Sequence, residues 1–124
     1  RDTVDGKSIP IDSIKRWFSE SYLNNNPKIY DFFYNLLEKK KNEDFLPAYK
    51  IFVNSDNYHI NYSNFRMPTL IMTGENEVGS TPLMSEGISK EIKNSDLYII
   101  KNAKHGATIE QSKVVNEKLN KFLF

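Results

Sequence analysis

Along the first half of the chain the apolar positions recur at helical spacing. Ile14, Trp17, Phe18 and Tyr22 fall on one stripe, and Asp12 or Ser13 just ahead of them is a capping residue type, so a helix is predicted from there. Asn26-Pro27 predicts the start of a second helix, with asparagine as cap and proline at the first helical position. Ile29, Phe32, Phe33, Leu36 and Leu37 carry it to the run Lys39-Lys40-Lys41, where cations suit the negative pole of the helix dipole. A third, weaker pattern runs from about Glu43 to Val53, with Pro47 in or near its first turn. From Asn54 to Arg66 the periodicity lapses, as in a connector.

At Met67-Pro68 the period changes. Thr69 to Thr73 is a short apolar run without alternation, and Leu97-Tyr98-Ile99-Ile100 is another, as expected for strands covered on both faces. Between them Thr81 as cap and Pro82 in the first turn introduce a helix whose inward face is predicted to carry Leu83, Met84, Gly87, Ile88 and Ile92, ending near Lys93. Strand, helix and strand in this order predict a βαβ unit with two parallel strands. A last helix, about Glu110 to Leu123, is predicted to bury Val115, Leu119 and Phe122 against the other sheet face. Two strands leave a sheet edge open, so the pattern looks like part of a larger sheet, completed by a preceding half or by self-association.

Composition narrows the function classes. The chain has 124 residues, 39% of them hydrophobic, which is enough for a domain with a core. Seventeen basic against sixteen acidic residues give a formal charge of +1, which offers no electrostatic case for nucleic acid or an anionic membrane. Without cysteine there is no disulfide, no thiolate metal site and no cysteine nucleophile, which fits a cytoplasmic location. There is no metal-ligand spacing or phosphate-binding glycine loop, so no metal and no cofactor are expected. No apolar run reaches the length of a membrane span, and the start lacks a signal-peptide pattern. The chain opens with Arg1 rather than methionine, so something ahead of it is expected to have been removed or left out.

Candidate chemistry gathers at the carboxyl ends of the two predicted strands, where loops of parallel sheets converge on ligands. The first strand runs into Gly74-Glu75-Asn76-Glu77 and the second into Lys101-Asn102-Ala103-Lys104-His105-Gly106. An acid bonded to one imidazole nitrogen fixes the tautomer and leaves the other nitrogen as a general base. His105 and Glu77 are the candidate pair, with Glu75 directed away by alternation. Ser80 is better read as part of a helix start, Gly79-Ser80-Thr81-Pro82, than as a nucleophile. Glu110 suits the positive end of the last helix. His59, in the connector, reads as structural or solvent-facing.

These segments resemble the α/β-hydrolase family. MPTLIMTGENEVGSTP is similar to that family's late strand, Gly-x-x-acid turn and following helix, and HGATIEQSKVVNEKLNKFL to its histidine loop, a glutamate five residues on, and its closing helix. KRWFSESYL, NNNP and FLPAYKIFVNSD are similar to the cap of the enol-lactonase and haloperoxidase-like branch. The resemblance implies an α/β fold: a helical cap over residues 1–65, then the C-terminal βαβα part of the core over 66–124, with two parallel strands and helices on both faces. It implies a serine hydrolase acting on a small-molecule ester, lactone or related acyl compound, with Glu77 and His105 as triad acid and base. Asp56 is a second candidate acid, because some hydrolases of this fold place it one strand earlier. Trp17 and Phe18 would roof an acyl pocket. The family usually has aspartate where Glu77 stands, and no Gly-x-Ser-x-Gly elbow occurs among the glycines at 6, 74, 79, 87 and 106. These 124 residues alone are therefore expected to be inactive. The alternative is a non-catalytic interaction module that self-associates through its open sheet edge; a lyase or haloperoxidase on the same scaffold is a third possibility.

Overall fold

The computed structural model describes the backbone of residues 8–39 and 42–124; Lys40 and Lys41 lie outside the described residues. Among these residues the chain is mixed α/β, with seven helices and one two-stranded parallel sheet. None of these helices is long and apolar enough to cross a membrane.

Helix α1 spans Ser8–Trp17, starting a turn earlier than Asp12. It stops because Ser19 turns extended, at φ −69 and ψ 151, and its hydroxyl accepts the Tyr22 N–H at 3.3 Å; this caps α2, Glu20–Asn25. The predicted single helix through Tyr22 is thus two. Helix α3, Pro27–Glu38, starts where Asn26-Pro27 places it, but the Asn26 side chain does not cap it and donates instead to the Tyr22 carbonyl at 2.9 Å. The half-buried positions of α3 are Ile29, Tyr30, Phe33, Tyr34 and Leu37, a stripe at helical spacing, while Phe32 and Leu36 of the predicted stripe point outward. Phe33 meets the Trp17 ring edge-on at 5.7 Å and Phe18 at 5.3 Å, and Tyr22 stacks on Phe18 at 5.7 Å. Helix α4, Asn42–Val53, carries Pro47 in its interior rather than its first turn. Single 3-10 turns at Ser55–Asn57 and Tyr62–Asn64 lead to the sheet.

Strand β1, Thr69–Gly74, pairs with β2, Ser95–Ile100, in parallel register from Thr69 opposite Ser95 to Gly74 opposite Ile100. Both strands therefore end at one level. Helix α5, Pro82–Glu91, makes the crossover, capped by the Thr81 hydroxyl accepting Met84 N–H. It packs on both strands but not by its predicted face: Ser85, Ile88 and Ile92 turn inward, while Leu83, Met84 and Gly87 are exposed. The small Ser85 lets the helix approach the sheet, which puts the two large side chains before it on the solvent side. The closing segment breaks at Gln111 into α6, Ala107–Glu110, and α7, Ser112–Leu123.

The core near the site is Ile100, Ala103, Ala107 and Val115, bordered by Met72, Tyr98 and Leu119. Complete coverage of both strands is not observed. Only Thr73, Gly74 and Ile100 are buried, and the other strand positions except exposed Asp96 are half-buried. A two-stranded sheet has two unpaired edges, so one helix per face cannot close it.

Candidate functional site

At the carboxyl end of β1 the chain turns back at once. Glu75 N–H donates to the Ile100 carbonyl at 2.9 Å, Asn76 N–H to Ala103 at 2.9 Å, and Glu77 N–H to Gly74 at 3.1 Å. Gly74 is required here, since a Cβ on it would sit 2.5 Å from the carbonyl oxygens of Ala103 and Lys104. The strand ends so close to the histidine loop that only hydrogen fits between them. Glu75, directed elsewhere as alternation requires, accepts the Asn102 N–H at 3.0 Å and holds that residue at its left-handed φ of 55.

Glu77 is 6% exposed. Its Oε1 accepts the Gly79 N–H at 2.6 Å, and its Oε2 lies 2.5 Å from His105 Nδ1. Burial by itself would raise the Glu77 pKa, but the Gly79 amide, the His105 ring with its charge and the Ser80 amide together outweigh it. The carboxyl is held below its ordinary value. An ionised Oε2 can only accept, so Nδ1 carries the proton and Nε2 presents a lone pair. Nε2 has no hydrogen-bond partner among the described residues, and the His105 side chain is 49% exposed. A basic nitrogen thus faces solvent while a buried carboxylate holds the ring from behind.

The histidine loop is anchored to the first helix. Gly106 N–H donates to the Trp17 carbonyl at 2.7 Å, and the Phe18 ring covers Gly106 so closely that a Cβ there would lie 2.4 Å from it. Phe18 is 1% exposed and stands behind the loop, and Trp17 is half-buried. Neither lines the clefts of about 220 and 240 Å³ on the described surface. The first of these opens between Ser21, Tyr22 and Asn25 on one side and Asn102 and Gln111 on the other.

Of the sequence-predicted residues, Glu77 and His105 are brought together. His59 is exposed in the connector. The Asp56 backbone lies in the 3-10 turn before the sheet, and its side chain is outside the described residues. Ser80 offers its carbonyl to the Thr73 hydroxyl at 2.9 Å, a structural bond at the helix start. Glu110 was expected to serve the helix dipole. It does stand in the first turn of α6, and its carboxylate also reaches Ser19 and Lys104, a link that the local sequence pattern does not show. The available signal was Ser19-Glu20, a cap followed by an acid, which marks a chain turn between Trp17 and Tyr22. No three His, Cys, Asp or Glu residues cluster to hold a metal ion among the described residues.

No protein-family model matches the chain, and no curated protein matches it. What the site can do is therefore taken from its geometry: it can accept a proton at His105 Nε2 and stabilise the resulting imidazolium through Glu77.

Proposed function

We infer that these residues supply the acid and the base of a serine hydrolase of the α/β-hydrolase type, acting in the cytoplasm on a small ester, lactone or related acyl substrate. The observation that carries the reading is the 2.5 Å contact between Glu77 Oε2 and His105 Nδ1 at the shared end of two parallel strands, with Nε2 free. A serine on a Gly-x-Ser-x-Gly elbow outside residues 1–124 gives its hydroxyl proton to Nε2 as its oxygen attacks the acyl carbonyl. The imidazolium then protonates the leaving oxygen, and water, deprotonated by the same nitrogen, releases the acid from the acyl-enzyme. Glu77 stays ionised throughout, which its low pKa favours.

The test is ester turnover by the protein in which these residues follow such an elbow. It is expected to hydrolyse p-nitrophenyl acetate, to be labelled by a fluorophosphonate, and to lose about 10⁴-fold in rate on His105→Ala. Unchanged turnover after His105→Ala would refute the assignment. So would His105-dependent turnover by residues 1–124 alone, because no elbow serine is among them.

The outer rows of β1 and β2 are unpaired among the described residues, which favours a second reading as a module that pairs with another copy through a sheet edge. A stable dimer with no turnover in any serine-bearing form would decide for it.

A further inference from the structure

His105 is held by the backbone on both sides. Lys104 N–H, just before it, donates to Glu110 Oε2 at 3.0 Å; Gly106 N–H, just after it, donates to the Trp17 carbonyl at 2.7 Å. The other oxygen of Glu110 accepts both the Ser19 N–H, at 3.0 Å, and the Ser19 hydroxyl. Lys104 Nζ adds a bond to the Lys15 carbonyl at 2.8 Å. Glu110 is 8% exposed, and every one of these donors to its carboxylate comes from outside its own helix. Burying a carboxylate is costly unless its oxygens are satisfied, and here that requirement is met only when the α1–α2 junction and the histidine loop are both in place.

The acid is held differently. Glu77 takes no hydrogen bond from the α1–α2 junction: its N–H donates to Gly74 and its Oε1 accepts from Gly79, while Asn76 N–H ties the turn to Ala103, ahead of Lys104, and the Arg16 side chain of α1 lies beside Gly79. A displacement of the α1–α2 junction would therefore pull directly on the backbone either side of His105, while Glu77 keeps the bonds of its own turn. We propose that Glu110 is a positioning residue that joins Ser19 to Lys104, so that the seating of the α1–α2 junction governs whether His105 Nδ1 meets Glu77. This rests on the functional reading above, in which His105 is the base, and adds to it a route by which the helical segment controls that base. Glu110 touches no reacting atom; it acts through the loop.

The test is ring nitrogen NMR of His105 in the intact protein above neutral pH. The wild type is expected to show a single Nδ1–H tautomer, and Glu77→Gln a mixture. Glu110→Gln can accept at only one oxygen, so it is expected to lose the single-tautomer signature, and Glu110→Asp, which keeps two acceptor oxygens, to recover part of it. Ile92→Ala, buried at the opposite end of the strands, is the control: it lowers Tm and keeps the signature. Should Glu110→Gln fail to fold, Ser19→Ala removes only the hydroxyl from the link and is expected to shift the tautomers the same way, by less. A Glu110→Gln or Ser19→Ala protein that loses Tm as Ile92→Ala does while keeping one tautomer overturns this proposal alone. A wild type whose tautomer is unaffected by Glu77→Gln overturns it together with the functional reading.

Discussion

Helices α1 and α4 both carry large apolar side chains, yet α1 closes Ile14 to solvent and delivers Phe18 to the core, whereas α4 exposes every described side chain from Leu46 to Val53, Ile51 at 71% and Phe52 at 67%. The difference lies in what each helix meets. Helix α1 lies against α3, and its end is fastened to the histidine loop through the Trp17 carbonyl and the face of Phe18. Helix α4 packs chiefly on the turn that follows it. Hydrophobic spacing reports that a segment has a sticky face; the partner is decided elsewhere in the chain.

The largest expected effect falls on the α1 side. Phe18→Ala empties a fully enclosed ring site between Phe33, Tyr22 and Gly106 and should cost about 3–5 kcal/mol, a fall of roughly 10 °C or more in Tm by calorimetry. A loss under about 1 kcal/mol would mean that α1 is not fastened to the loop in solution.

A smaller, pH-dependent effect separates the acid turn from both helices. Folding holds Glu77 below its ordinary carboxyl value of 4.5, so folding favours the ionised form. The stability this gives is complete above that value and is lost as pH falls through the lower, folded one. The Tm gap between wild type and Glu77→Gln should thus be widest near neutrality and close in acid. A gap that stays constant from pH 7 to pH 3 would contradict it.

The smallest effect is expected on α4. Phe52→Ser, at an exposed position, should change unfolding free energy by no more than about 0.5 kcal/mol in denaturant titrations. A loss above about 1 kcal/mol would show α4 covered in solution and would erase the contrast with α1.

What could be read from the sequence follows the same division. The strands, the helix starts at Pro27 and at Thr81-Pro82, and the meeting of Glu77 with His105 all depend on signals within a few residues or on a βαβ unit of fixed handedness. Less legible was anything set by remote partners. The break at Ser19 needs Glu110 as an acceptor, 91 positions away, and the inward turn of Ser85 instead of Leu83 and Met84 reflects how close α5 must come to the sheet. Phe18 reads as a ligand-facing aromatic by type, and it is the glycine beneath it at 106, together with the rings of Tyr22 and Phe33, that encloses it.

The link through Glu110 also bears on the order in which the molecule assembles. The contact between Glu77 and His105 closes a ring of 28 residues, whereas that between Ser19 and Glu110 closes one of 91. Loop-closure entropy makes the longer ring dearer by about 1 kcal/mol. The shorter ring is the cheaper to close, but His105 keeps its place against Glu77 only once the longer one, which draws the Ser19 turn onto the last helices, has closed as well.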